Sequence, residues 1–229
     1  MPLRFLVRII FAALAGAIPA FAGHFVADDA LDLRALLTPP PAADSLVTRA
    51  ELDVVLQFQD LRTPALAQRA REIENETLFS FASDVVGPWF KAERLPRTAA
   101  LFAAVREDFI PINRASKALW PRKRPPYADD RVKPCVEYSD SGSYPSGHGI
   151  QSALWAVLLG ELLPDHAAGF QARALETRRM KLFTGVHYPS DLEAGRLVGE
   201  ALARAMLQSP ALQAALAEAR AEIAALPKS

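Results

Sequence analysis

The stretch Gly142-Ser143-Tyr144-Pro145-Ser146-Gly147-His148 runs directly into an apolar segment from Ile150 to Leu163. Its small residues predict a turn, and the apolar segment predicts a helix that starts at this turn. The first N–H groups of a helix have no partner within it, and the helix dipole adds partial positive charge there. The turn therefore predicts an anion site suited to phosphate, with His148 placed to exchange a proton. A flexible Gly/Ser loop that happens to end in histidine is the alternative.

Upstream of this turn, residues 117–125 read Lys-Ala-Leu-Trp-Pro-Arg-Lys-Arg-Pro and carry four positive charges. Lys117 and Arg124 are spaced so that a helix end and the loop after it could aim both side chains inward. An arginine offers a planar fork to phosphate oxygens, and a lysine offers a point charge. Arg122 and Lys123 are interpreted as part of a solvated basic loop.

Downstream, His187 lies in a predicted junction between two helices, and Asp191 follows it by four residues. Asp191 could accept a hydrogen bond from one ring nitrogen and leave the other with a lone pair, as in an oriented nucleophile. The alternative is that Asp191 is an ordinary first-turn helix residue and His187 a buried histidine with its hydrogen bonds satisfied. His24 and His166 are interpreted as incidental.

The composition is that of a protein with a sizeable core, since 51% of its 229 residues are hydrophobic. Residues 1–22 resemble a secretory signal with a basic start, an apolar middle and a small-residue cleavage site. The uncharged run at residues 9–23 is shorter than the roughly 20 residues of a membrane span. Removal of residues 1–22 leaves a formal charge of −2, which gives no reason to expect a nucleic-acid partner. Cys135 is the only cysteine, so an intramolecular disulfide and a cysteine-based zinc site are excluded.

Apolar stripes at helical spacing predict one all-α domain over residues 23–229, in which no segment alternates like a strand. Ser190 and Glu193 are predicted to form a capping box for the last core helix. Pro111 is predicted to break or kink the helix that Pro96 opens, and residues 121–146 form a long loop of the kind that is usually functional. The predicted helices cover residues 47–61, 64–86, 96–110, 113–119, 149–163, 165–182, 190–207 and 210–226.

The three clusters occur in a fixed order: Lys117-x6-Arg124-Pro125, then Pro145-Ser146-Gly147-His148, then His187-x3-Asp191. This order resembles the type 2 phosphatidic acid phosphatase superfamily, which also contains the vanadium haloperoxidases. The signal-like start, the size and the Leu37-Thr38-Pro39-Pro40-Pro41 lead-in look most like its class A bacterial non-specific acid phosphatases. The resemblance extends from about residue 36 to residue 207.

This resemblance implies a helical bundle of the acid phosphatase and vanadium haloperoxidase type, located in the periplasm, that hydrolyses small phosphomonoesters in two steps. His187 would take the phosphoryl group, Asp191 would orient its ring, and His148 would act first as general acid and then as general base. The groups expected to hold phosphate oxygens are Lys117, Arg124, Ser146, Gly147 and Lys181. No metal or other cofactor is expected, and vanadate or phosphate would occupy the site as inhibitor or product. Such enzymes often form homo-oligomers.

One departure from the family pattern is Met180-Lys181, where the superfamily has Ser-Arg. Lys181 keeps the positive charge and loses the planar fork. One hypothesis is that Lys181 still contacts phosphate with weaker binding, so that Lys181→Arg should lower KM. The alternatives for the whole protein are a vanadate-dependent haloperoxidase and a phosphate-binding protein with weakened catalysis.

Overall fold

The computed structural model describes residues 24–226, so the predicted signal at residues 1–22 lies outside the described part. Those residues form ten α-helices and two short 3-10 segments and contain no β-strand, which confirms the all-α fold class. The helices are α1 (Leu33–Leu36), α2 (Leu46–Asp60), α3 (Pro64–Glu74), α4 (Leu78–Val86), α5 (Pro96–Leu119), α6 (Pro125–Ala128), α7 (Gly147–Leu162), α8 (Ala167–Thr184), α9 (Pro189–Leu207) and α10 (Pro210–Ala224). None of these helices is long and apolar enough to cross a bilayer.

Helix α7 lies at the centre of the main core because its sequence is apolar on every side. Ile150, Ala156 and Leu162 are each at most 2% exposed, although they lie about 120° apart around the helix. A helix that is hydrophobic all round must be enclosed. Helices α8 and α9 flank it directly, and α10 packs against α5 at the edge of the same core.

Glycines bring α7 and α9 unusually close together. A Cβ atom added at Gly199 would lie 2.2 Å from the carbonyl oxygen of Ile150, and one at Gly195 would lie 2.6 Å from that of Ser146. Only glycine can occupy these positions at this helix separation, since real Cβ atoms do not come so near backbone atoms. We call this close contact of α7 and α9 at Gly195 and Gly199 the seam. It fixes the start of α7, which carries His148, against the start of α9, which carries Asp191.

The predicted continuous helix over residues 64–86 is wrong, because the structure has a break at residues 75–77. Asn75 is the C-cap of α3. Thr77 is the N-cap of α4, and its hydroxyl accepts a hydrogen bond from the Ser80 N–H at 3.2 Å. Thr77 and Ser80 form a capping box, a start signal that the sequence contained. The break directs Glu74 and Glu76 toward α8.

Pro111 does not interrupt α5, which continues for 24 residues from Pro96 to Leu119. The buried stripe of Leu101, Val105 and Ile112 continues past the proline, so packing against the core outweighs the loss of one backbone hydrogen bond. The loop that follows is ordered by hydrogen bonds and contains only the short helix α6. Most other helix ends lie close to their predicted positions.

Candidate active site

His187 lies in the turn between α8 and α9. Helix α8 ends at Gly185, whose φ of +79° is the left-handed conformation that glycine favours. The chain re-enters a helix at Pro189, which places Asp191 in the first turn of α9. His187 is 3% exposed, and its Nδ1 lies 3.4 Å from Oδ2 of Asp191.

The neighbours of His187 identify its tautomer. Arg124 Nη1 lies 3.2 Å from His187 Nε2, and a guanidinium can only donate. Nε2 must therefore be the acceptor, and in the neutral ring Nδ1 carries the hydrogen that faces Asp191. The lone pair of His187 Nε2 thus faces the Arg124 guanidinium.

Two donors besides His187 hold the Asp191 carboxylate. Oδ2 accepts a hydrogen bond from the Tyr188 N–H at 2.8 Å, and Oδ1 accepts one from Arg122 Nη1 at 2.8 Å. The predicted Ser190–Glu193 capping box is wrong, because Asp191 is the side chain that caps the start of α9 and the Ser190 N–H donates to Glu51. The position of Asp191 is therefore fixed independently of His187.

Arg122 was assigned to a solvated loop, and this prediction is wrong. Its guanidinium is buried, donates to Asp191 and to Glu51 Oε2 at 2.7 Å, and stacks 3.8 Å from the centre of the Tyr188 ring. Glu51 is on α2, far away in the sequence, so local composition could not reveal this partner. Lys123 is exposed, as predicted.

The start of α7 has the form expected for an anion site. Ser146 is the N-cap, its hydroxyl accepts from the Gly149 N–H at 3.2 Å, and its own N–H donates to the Asp191 carbonyl at 2.9 Å. The first intrahelical hydrogen bond runs from the Ile150 N–H to the Ser146 carbonyl, so the N–H groups of Gly147 and His148 have no acceptor within the helix. Asn113 Oδ1 lies beside Gly147 and, within residues 24–226, is a buried side-chain oxygen without a hydrogen-bond partner. The sequence reasoning had not identified Asn113.

The two basic residues of the first motif face this turn. Lys117 Nζ donates to the carbonyls of Gly142 and Pro145, each at 2.9 Å. Arg124 reaches from the loop to His187 and also donates to the Ser141 carbonyl at 3.0 Å. Burial lowers the pKa of Lys117 to about 8, and repulsion from Arg124 adds to the shift.

Lys181 and His148 share a partner that the sequence had not indicated, Glu74 at the end of α3. The Lys181 ammonium is paired with the Glu74 carboxylate, and His148 Nε2 lies 3.1 Å from the Glu74 carbonyl. A carbonyl only accepts, so this nitrogen of His148 carries a hydrogen. Among the predicted site residues, Lys181 is the most deeply buried cation, at 1% exposed.

The electrostatic effects show that these side chains lie in one cluster. Burial lowers the pKa of His187 to about 3, and the Lys181 and Arg124 charges oppose its protonation as well. Burial and repulsion by Lys181 lower the pKa of His148 to about 4. Both imidazoles are therefore neutral at mildly acid pH, and the surrounding positive charge favours an anion between them.

The sequence profile of the PAP2 superfamily matches residues 98–213, which include all three motifs. An acid phosphatase from Zymomonas mobilis is 30% identical over 79% of this chain and 69% of its own length. A non-specific acid phosphatase from Salmonella typhi is 28% identical over 86% of this chain and 82% of its own length. The chain belongs to the PAP2 superfamily. The predicted resemblance is confirmed.

Two solved structures share the helical fold. A bacterial vanadium-dependent iodoperoxidase superposes with a TM-score of 0.60 at 20% identity, over 80% of this chain and 54% of that protein. A transmembrane PAP2-type phosphatidylglycerolphosphate phosphatase from Bacillus subtilis gives a TM-score of 0.52 at 21% identity, over 76% of this chain and 88% of that protein. At these identities the likeness concerns the helical fold.

Proposed function

We propose that this protein is a metal-independent acid phosphatase that hydrolyses soluble phosphate monoesters through a phosphohistidine on His187. Its class, a phosphoric monoester hydrolase of the PAP2 superfamily, follows from the family match and from relatives named acid phosphatases. The intermediate, the independence from metal and the location are the proposed parts.

The observation that supports this proposal best is the state of the His187 ring. Its Nε2 is an acceptor, its Nδ1 faces Asp191, and Arg124 stands at the nucleophilic nitrogen. A phosphoryl group attacked by Nε2 would lie beside the Arg124 guanidinium. Lys117 is near the same place, since it lies close enough to Arg124 for the two charges to repel. Phosphoryl transfer depends mainly on such positioning and charge neutralisation.

In the first step, the Nε2 lone pair forms a bond to phosphorus while the ester P–O bond breaks. The departing oxygen takes a proton from His148, so a neutral alcohol leaves. Burial and repulsion by Lys181 lower the pKa of His148, and the bound phosphate dianion counteracts both by stabilising positive charge, so the imidazolium becomes accessible in the complex. In the second step, His148 removes a proton from water, the water oxygen attacks phosphorus, and the Nε2–P bond breaks to release phosphate.

Metal independence is proposed because protein groups supply the charge that a metal would otherwise provide. Three cations belong to the cluster: Lys117, Arg124 and Lys181. The N–H groups at the start of α7 add donors for the remaining phosphate oxygens. A periplasmic location is proposed from the signal-like pattern at residues 1–22, and a mature protein that begins at residue 23 would support it.

Release of p-nitrophenol from p-nitrophenyl phosphate at mildly acid pH tests the function. We expect turnover that excess EDTA does not change and that vanadate inhibits. Loss of turnover in EDTA would contradict the metal-free mechanism. Absence of hydrolysis combined with peroxide- and vanadate-dependent halogenation of a dye would instead indicate the haloperoxidase alternative.

A further inference from the structure

Glu74 contacts two of the predicted site residues, Lys181 and His148. It ends α3, its carboxylate pairs with Lys181, and its carbonyl accepts a hydrogen bond from His148 Nε2 at 3.1 Å. One of these partners, Lys181, stands where the family has arginine. The other, His148, is the predicted general acid. No sequence motif included Glu74.

Lys181 depends on this contact in the empty site. Its ammonium is 1% exposed, and a charge buried so deeply needs a counterion. The neighbouring acid, Glu76, is already committed to Arg173 and to the Thr177 hydroxyl at 3.0 Å. Among the described residues, Glu74 is thus the carboxylate that neutralises Lys181.

The Glu74 side chain has room to move away from Lys181. It is 26% exposed and borders a cleft of about 510 Å³ that Arg71, Asn75 and Cys135 also line. Arg71 is exposed, and its guanidinium donates to Gln68 Oε1 at 3.2 Å. A displaced Glu74 carboxylate would therefore enter this cleft, whose other charged lining residues are Arg71 and Glu137.

We propose that Glu74 determines the affinity of the site, because its carboxylate competes with phosphate for Lys181. This inference rests on the proposed phosphate site. A phosphate oxygen at Lys181 and the Glu74 carboxylate at the same ammonium would bring two negative charges together, which is unfavourable in a partly buried site. Phosphate binding therefore displaces the Glu74 carboxylate. The free energy needed to break the Glu74–Lys181 pair weakens the net binding of phosphate.

The competition predicts that a neutral residue 74 tightens phosphate binding. Glu74→Gln removes the charge and retains the backbone carbonyl that faces His148. We expect the Kd of inorganic phosphate, measured by calorimetry, and the KM for p-nitrophenyl phosphate to fall about fivefold. Glu72→Gln, an exposed change on the same helix, is the matched control and should leave both constants unaltered.

A purely structural role for Glu74 predicts the opposite direction. If its carboxylate only holds Lys181 in place, Glu74→Gln should weaken phosphate binding, and that result would overturn the proposal. In a Lys181→Met background the tightening by Glu74→Gln should vanish, and its persistence would also overturn the proposal. The calorimetric Kd does not require turnover, so an inactive enzyme that shows the expected order of phosphate affinities would refute the proposed function and leave this inference standing.

Discussion

At the scale of single residues, the reactivity of His187 follows from two opposing influences. Burial drives the pKa of the ring down to about 3, while the nearby Asp191 carboxylate favours the protonated form. Burial prevails, so the ring stays neutral at mildly acid pH and Nε2 keeps its lone pair. In the proposed mechanism Asp191 orients the ring, and its own position is secured by Arg122 and the Tyr188 N–H.

The charge of Lys117 should determine how the affinity for anions changes at alkaline pH. Its pKa is lowered to about 8, so its charge is present below that pH and lost above it. Sulfate stays a dianion through this range, and its affinity should therefore fall between pH 7 and pH 9. Lys117→Arg, which keeps its charge, should abolish most of the fall in a fluorescence or calorimetric titration. An equally steep fall in this variant would assign the effect to another group.

Replacement of Arg122 tests the structural part of the site. Arg122→Met leaves the buried carboxylates of Asp191 and Glu51 without their cation, so we expect a loss of about 3–5 kcal/mol in the free energy of unfolding. Lys123→Met removes an exposed charge next to it and should cost less than about 0.5 kcal/mol. Urea unfolding of both variants measures the difference. Equal losses would show that the ion pairs of Arg122 contribute little to stability.

At the scale of elements, the site depends on the close approach of α7 and α9. One helix carries His148 and the proposed anion-binding turn, and the first turn of the other carries Asp191, which is proposed to orient His187. Backbone atoms of the two helices meet at Gly195 and Gly199. A change of helix separation would therefore alter the distance between the proposed general acid and the proposed nucleophile.

Gly199→Ala should separate the two helices. The new methyl group would meet the Ile150 carbonyl at 2.2 Å, and a backbone atom inside a helix cannot give way locally. We expect a loss of about 1–3 kcal/mol in stability together with a loss of kcat. Gly160→Ala is the control, because its methyl group would come no nearer than 3.3 Å to the Ala167 Cβ and 3.5 Å to the Ala167 Cα, and alanine favours a helix. Wild-type kcat in Gly199→Ala would contradict the role of the seam.

At the scale of the whole molecule, buried neutral histidines should make the empty protein sensitive to acid. The folded pKa of His187 is about 3 and that of His148 about 4, whereas the unfolded value is 6.5. The unfolded state thus binds more protons as pH falls below 6.5, and stability present above that pH is lost toward pH 3–4. Each group contributes a slope of at most about 1.4 kcal/mol per pH unit.

The melting temperature should therefore fall from pH 7 to pH 5, and less so in His187→Asn. His24 acts with opposite sign, since Asp108 raises its pKa, so the comparison of slopes between variants is the decisive quantity. His166→Asn changes an exposed residue and should keep the wild-type slope. Inorganic phosphate, which favours a charged His148, should reduce the loss. Identical slopes in all variants would contradict the burial of a neutral His187.

Much of this molecule could be predicted because its signals are local. Prolines and apolar stripes gave most helix positions, and three short motifs gave the family. The contacts of Arg122 with Glu51 and of Lys181 with Glu74 join residues 71 and 107 positions apart, and nothing in the local sequence indicates them. Pro111 favours a helix break locally, but packing along α5 outweighs this preference, whereas the capping box of Thr77 and Ser80 is a local signal for the start of α4.

The most direct measurement is the identification of the phosphorylated residue after rapid quenching with labelled p-nitrophenyl phosphate. We expect acid-labile, base-stable label on His187 alone. In His148→Ala the label should accumulate, because p-nitrophenol leaves without an acid while water lacks its base. In His187→Ala it should be absent. Label on another residue, or undiminished label in His187→Ala, would contradict the assignment of His187 as the nucleophile.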